Sequence, residues 1–212
     1  MKCQDALVLP EPMLDAFVQE LQKLAHPVIE DPKDLEKVLK PGDLLYTQPK
    51  KIDGLKYKLF YEISKRVQGD PHTHISIYAG DGAVVDAASW KRRGEESLKT
   101  HQVPLKKFMD RYKFRVLRVD AEPSVRREAA EFAKDQVGKT FNTRGMLRLA
   151  LPFQGRAGKE DRQRQDAEKF FCSELIANAY SSLGIAKNKK LKHVLPGDIA
   201  KSRLTKTVAE SS

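Results

Sequence analysis

The stretch 72–88, HTHISIYAGDGAVVDAA, constrains this chain more than any other. Its alternating side chains around Gly80-Asp81-Gly82 demand a β-hairpin. On the first strand, expected over 74–79, His74, Ser76 and Tyr78 share one face, and Ile75, Ile77 and Ala79 share the other. The return strand over 83–88 puts Val84, Asp86 and Ala88 on one face. Turn length decides whether His74 and Asp86 meet, because directly opposed residues point the same way. A two-residue Asp81-Gly82 turn opposes Ile77 to Asp86 and turns Asp86 away from His74. A three-residue Gly80-Asp81-Gly82 turn opposes Ala79 to Ala83 and therefore Ser76 to Asp86. His74 then lies diagonally across from Asp86, about 7–8 Å away at the backbone. Glycines at both ends of the turn make the three-residue form easy, since positive φ costs glycine little.

A carboxylate that accepts from one imidazole nitrogen fixes the tautomer and leaves the other nitrogen free for a proton, which suits a general base. Taken alone, His74 and Asp86 fit a plain surface ion pair better. Cys172 changes that balance. It follows Phe170-Phe171 and opens a helix expected to run to about Leu183, with Leu175, Ile176, Ala179, Tyr180 and Leu183 on one stripe and Gly184 at its end. A thiol at a helix N-terminus feels the positive end of the macrodipole, which lowers its pKa, and a neighbouring imidazole would lower it further. The bland alternative is a small buried apolar residue. Only one other cysteine is present, Cys3, so there is no disulfide framework.

Around this core the spacing predicts an amphipathic helix over 11–25, carrying Met13, Leu14, Phe17, Val18, Leu21 and Leu24 and stopped by Pro27. A short helix over 32–39 follows, with Leu35, Val38 and Leu39 inward. A Pro41-Gly42-Asp43 turn then leads into a strand from Leu44 to Thr47 that Pro49 ends. Residues 55–67 read as a helix or an irregular segment. Strands are expected near 98–103 and over Phe114 to Val119. A helix over 125–137 follows Ser124 as N-cap, with Val125, Ala129, Phe132, Ala133 and Val137 on its stripe and Gly138 closing it. Residues 145–152 form a short apolar segment, and a polar stretch separates them from Cys172. The fold class expected is α+β: an antiparallel sheet or half-barrel packed against helices. It comprises an N-terminal helical extension over 1–40, a domain over 41–200 and a polar tail over 201–212.

A chain of 212 residues, 40% hydrophobic and 32% charged, can bury one sizeable core, and its apolar runs are far shorter than a membrane span. The first residues lack the apolar core of a secretory signal, so a cytoplasmic location is expected. The net charge of +10, with basic clusters at 91–93, 187–192 and Lys201, Arg203 and Lys206, favours an anionic partner. No helix-turn-helix, zinc-finger or RNP signature is present, so specific nucleic-acid binding is not expected.

The runs Pro41-Gly42-Asp43-Leu44-Leu45, His74 to Gly82, Val85-Asp86-Ala87 and Cys172-Ser173-Glu174-Leu175 resemble the NlpC-type branch of the papain-like cysteine peptidase superfamily. In the usual order of that superfamily the cysteine helix precedes the histidine hairpin. Here it follows, as in the circularly permuted YiiX-like group, to which lecithin:retinol acyltransferase-like enzymes are related. The resemblance covers about residues 40–184. It implies that Cys172 is the nucleophile, His74 the general base and Asp86 the group that orients His74. It also implies that the Cys172 backbone N–H donates to an oxyanion. Phe141-Asn142 is similar to an aromatic-polar pair found upstream of the cysteine in this group. The long segment 143–169 and the 40 residues before Pro41 depart from the pattern.

The expected function is a cysteine hydrolase that cleaves an amide (peptide, isopeptide or murein-type) through an acyl-thioester, with no cofactor and no metal. The alternatives are a lipid acyltransferase or thioesterase, motivated by the 145–152 segment, and a non-catalytic binding module that uses the same cleft. Other residues weigh less. His72 could replace His74 as base, or join His74 and Asp86 around a metal, though an H-x-H with a distant acid is a weak motif. Glu174 reads as an acid favoured by the first helical turn. His26, His101 and His193 read as ordinary surface or turn histidines, and Tyr46 and Tyr78 as packing residues near the cleft. Cys172→Ala and His74→Ala are expected to abolish turnover with the fold intact, and Asp86→Ala to reduce it less.

Overall fold

The computed structural model describes residues 26–92, 95–141, 169–183, 185 and 194–211. The helix expected over 11–25, the 145–152 segment, nearly all of the 143–169 stretch, the 187–192 basic cluster, Cys3 and His193 lie outside the described residues.

The first helix, α1 (Pro32–Val38), starts where the Asp31 side chain accepts from the Lys33 N–H at 2.7 Å, with proline at its first turn. It buries Leu35, and Leu39 just beyond it is buried too. The turn after it needs its glycine. Gly42 has φ +90°, and a Cβ there would stand 2.4 Å from the Arg126 carbonyl oxygen. Asp43, fully buried, accepts from the Lys40 N–H at 2.8 Å and from Arg118 at 2.8 and 2.6 Å, so its charge is paired where water does not reach. This clamp sets the start of β1 (Leu44–Pro49).

The rest of the chain runs α2 (Leu55–Gln68), β2 (His74–Gly80), β3 (Ala83–Arg92), β4 (Glu95–Pro104), α3 (Leu105–Arg111), β5 (Tyr112–Val119) and α4 (Pro123–Asp135). Then come the short β6 (Thr140–Phe141) and β7 (Lys169–Phe170), α5 (Cys172–Ala179) with a 3-10 turn over Ser181–Leu183, α6 (Pro196–Ala200) and β8 (Thr205–Glu210). The strands form one open sheet in the order β7-β6-β4-β3-β2-β1-β5-β8, antiparallel except between β6 and β7. The α+β class with an open antiparallel sheet is as expected.

Alternation along the strands gives the sheet two apolar faces. Leu44, Tyr46, Ile75, Ile77, Val85, Leu117 and Val119 pack with α4 and α5 through Ala129, Ala133, Leu175, Ile176 and Tyr180. Leu45, Tyr78, Val84, Phe114 and Val116 pack with α1 and α3 through Leu35, Leu105, Phe108 and Met109. Each such aliphatic or aromatic side chain contributes about 1.5–3 kcal/mol by leaving water. Coverage on both sides explains why β1 reads as a continuous apolar run.

Several sequence expectations need correction. The hairpin turn has two residues: Gly80 pairs with Ala83 across Asp81 (φ 51°) and Gly82 (φ 65°), the paired positive-φ geometry of a tight hairpin turn. The pairing then shifts between Tyr78 and Gly80, so Ala79 is a bulged residue, and Tyr78 opposes Val84 and Ile77 opposes Val85. The bulge restores the register that a three-residue turn would have given. The 201–212 stretch is not a free tail, because its strand β8 pairs with β5, Arg115 opposite Glu210 and Val119 opposite Thr205. Its polar residues occupy the sheet edge, where one face stays wet. Ser124 is not the N-cap of α4, since Pro123 is already inside the helix and Glu122 precedes it. Val137 lies beyond α4 and is 41% exposed, whereas Arg126 is buried and donates to the Ala121 and Val119 carbonyls.

Candidate active site

Three elements converge on His74. It begins β2, opposite Thr47 of β1, and its backbone carbonyl accepts from the Thr47 hydroxyl at 3.4 Å. The bulge at Ala79 gives β3 the register that turns Asp86 to the same side. The Asp86 carboxylate lies 2.5 Å from His74 Nε2, and the Ser76 hydroxyl donates to the same carboxylate oxygen at 2.7 Å. Ser76 Oγ is also 3.2 Å from His74 Nε2. The side chain of Asp86 is completely buried and that of His74 is 16% exposed, so the pair forms a floor that opens to solvent on the imidazole side.

Cys172 is the first residue of α5, immediately after Phe171, and it is 8% exposed. The parallel pairing of Phe141 with Phe170 delivers the chain to this point. Asn142 lies outside the described residues. The Glu174 side chain accepts from the Phe171 N–H at 3.3 Å, satisfying a donor that the helix start leaves open. Glu174 thus serves the helix terminus. Next to the cysteine, the Ser173 hydroxyl donates to the Val194 carbonyl at 2.5 Å and ties α5 to the segment before α6.

The structure brings His74, Asp86 and Cys172 together. Burial by itself pushes the His74 pKa down. Charge and side-chain hydrogen-bond interactions, with Asp86 first and Cys172 after it, outweigh burial and raise it to about 10. At neutral pH the ring is an imidazolium beside the buried Asp86 carboxylate. With Nε2 engaged by Asp86, Nδ1 is the nitrogen left for the thiol. The α5 N-terminus adds its own positive end at Cys172.

Tyr112, at the start of β5, escaped the sequence reading. Its ring stacks on His74 with centroids 5.7 Å apart and planes at 26°, and it packs against Phe108 at 4.8 Å. Arg111 stands 5.3 Å above the same ring. Burial chiefly, and then the Asp86 charge, pushes the Tyr112 hydroxyl pKa far up, while Arg111 opposes this. Tyr112 therefore walls the site. No local signal could have found it, since β1 separates β5 from β2. Ser76 was within reach, being on the His74 face two residues away.

His72 belongs elsewhere. Its Nδ1 lies 2.9 Å from Asp70, which also accepts from the His72 N–H at 2.8 Å and meets Arg115 at 3.5 Å. Its ring leans on Tyr46 with centroids 5.1 Å apart. Burial lowers its pKa despite Asp70. His72 and His74 each take a carboxylate of their own, so the His72–His74–Asp86 grouping does not form one ligand set. Tyr46 is buried on the face of the sheet that packs with α4 and α5, and Tyr78, on the other face with Tyr112, accepts from the Gly82 N–H at 3.0 Å.

The fold and site define an α+β protein with an open antiparallel sheet and a Cys–His–Asp constellation where a helix start meets a hairpin. No family model matches the chain, and no curated protein does. Among solved structures, the chain is similar to the metalloprotein YiiX from Escherichia coli O157:H7, at 15% identity and a TM-score of 0.47, over 82% of this chain and 98% of that one. Among the described residues no helix is long and apolar enough to cross a membrane.

Proposed function

We propose that this chain is a papain-like cysteine hydrolase of the permuted type, acting on an amide through an acyl-thioester at Cys172. One observation carries the reading: a single imidazole, 16% exposed, takes both a fully buried carboxylate and the only described cysteine as partners, and its pKa is raised to about 10. A structural ion pair needs no thiol, and an inert core cysteine needs no imidazolium.

In this reading Cys172 is the nucleophile, His74 the acid–base group and Asp86 the residue that fixes the ring. The Cys172 sulfur forms a bond to the substrate carbonyl carbon, and the carbonyl electrons move to oxygen. The resulting oxyanion is stabilised by the Cys172 backbone N–H at the start of α5. The carbon–nitrogen bond then breaks as His74 gives its proton to the leaving amine, and an acyl-thioester remains. Neutral His74 takes a proton from water as the water oxygen bonds to the thioester carbon, the carbon–sulfur bond breaks, the carboxylic acid leaves, and the thiolate–imidazolium pair returns. Asp86 stays ionised throughout and holds the imidazolium. Ser76 keeps the carboxylate in place, and Tyr112 keeps one face of the ring out of water.

Acid quenching during turnover of a peptide-amide library, followed by intact mass analysis, tests the proposal. An acyl adduct on Cys172 that hydroxylamine removes is expected. Its absence under turnover, or turnover that survives in Cys172→Ala, would sink the reading.

A further inference from the structure

Helix α2 (Leu55–Gln68) half-buries Phe60, Tyr61 and Ile63 but leaves three of its aliphatic side chains in solvent. Leu55, Leu59, Ile63 and Val67 recur every four residues, one row along the helix running about 18 Å at 1.5 Å per residue. Leu55 is 84% exposed, Leu59 61% and Val67 53%, while Ile63 between them is half-buried. Among the described side chains of this helix only Gln68 is buried. Single exposed leucines need no explanation, but three exposed aliphatic side chains along one row do.

The charge around the row is positive. From Lys50 to Gln68 there are six basic residues and two acidic ones. The acids are paired with lysines, Asp53 with Lys51 at 3.4 Å and Glu62 with Lys65 at 2.7 Å, while Lys50, Lys58 and Arg66 are exposed. An exposed aliphatic ridge between lysines and an arginine matches an anionic lipid surface. There the aliphatic side chains enter the boundary of the acyl region and the cations meet phosphate headgroups. We propose that α2 docks this chain onto anionic membranes. The helix joins β1 to the strand that starts at His74, so the docking face lies at the end of the sheet that bears the Cys172–His74 site. The proposal does not depend on the chemistry of that site.

Flotation of the full chain with phosphatidylcholine vesicles, with and without about one-third phosphatidylglycerol, tests it. The wild type is expected to float with the anionic vesicles only, and to be released as salt screens the contact. The double variant Leu55→Ser/Leu59→Ser should lose roughly tenfold or more of the bound fraction with an unchanged melting temperature. Equal binding by the double variant would assign the attraction to another basic cluster and overturn the proposal. A wild type that binds neither vesicle would overturn it as well. In that event, a lower melting temperature in the double variant would mark the row as a seat for another part of this chain, and a dimer lost in the double variant would mark it as a self-association surface.

Discussion

The Asp86 carboxylate meets His74 Nε2 at 2.5 Å with no solvent exposure of its own, so each side chain is the other's means of being buried while charged. Breaking such a pair from one side strands the remaining charge, at about 3–5 kcal/mol. His74→Ala should therefore cost stability as well as turnover, contrary to the expectation that it leaves the fold intact. Adding Asp86→Asn to His74→Ala removes the stranded charge and should recover much of the loss. Urea unfolding of wild type, single and double variants measures this. Equal stability of His74→Ala and wild type would show that Asp86 finds another partner.

The raised His74 pKa also fixes a pH dependence. The folded value, about 10, lies above the ordinary 6.5. The protonated ring's contribution to stability is thus complete below about pH 6.5 and is lost as the pH rises through about 10. Unfolding free energy should fall across that window in the wild type. It should fall less in Asp86→Asn, where the largest charge holding the proton is gone. An identical slope in the two proteins would contradict the assignment of Asp86 as the chief stabilising charge.

Tyr112 gives a third test. A stacked aromatic pair contributes about 0.5–1.5 kcal/mol beyond the burial of its area. Tyr112→Phe keeps the ring over His74, whereas Tyr112→Leu removes it. The leucine variant should lower kcat further than phenylalanine does, by up to about tenfold, and should raise the His74 pKa by letting water reach the ring. An NMR titration of His74 alongside the rate measurement separates a positioning effect from general destabilisation, which would leave the pKa of the folded state unchanged.

Much of this arrangement is legible in the sequence. Alternation placed His74 and Asp86 on strands, and the phase of the apolar stripe put Cys172 at a helix start. The register was right for the wrong local reason, because a bulge has no composition signature of its own. Ala79 looks like any strand residue, and only its missing partner reveals it. Strand β8 was missed because an edge strand with polar neighbours, as in Lys206 and Thr207, carries little apolar alternation. Tyr112 and the Arg118–Asp43 clamp depend on contacts 38 and 75 residues apart in the chain (112 against 74, 118 against 43), where local pattern gives no information. The α6 helix, only five residues long, is anchored by Asp198 accepting from the Leu195 N–H at 2.8 Å and by Gly197 donating to Gln68 at 2.8 Å.

The most direct test of the Cys172–His74 pair is the rate at which iodoacetamide alkylates each cysteine of the wild-type chain at neutral pH, followed by mass spectrometry, with Cys3 as the reference thiol in the same sample. A thiolate held by an imidazolium at a helix start should react roughly tenfold or more faster than Cys3, and the advantage should shrink in Asp86→Asn. Alkylation of Cys172 no faster than Cys3 would contradict the proposed nucleophile.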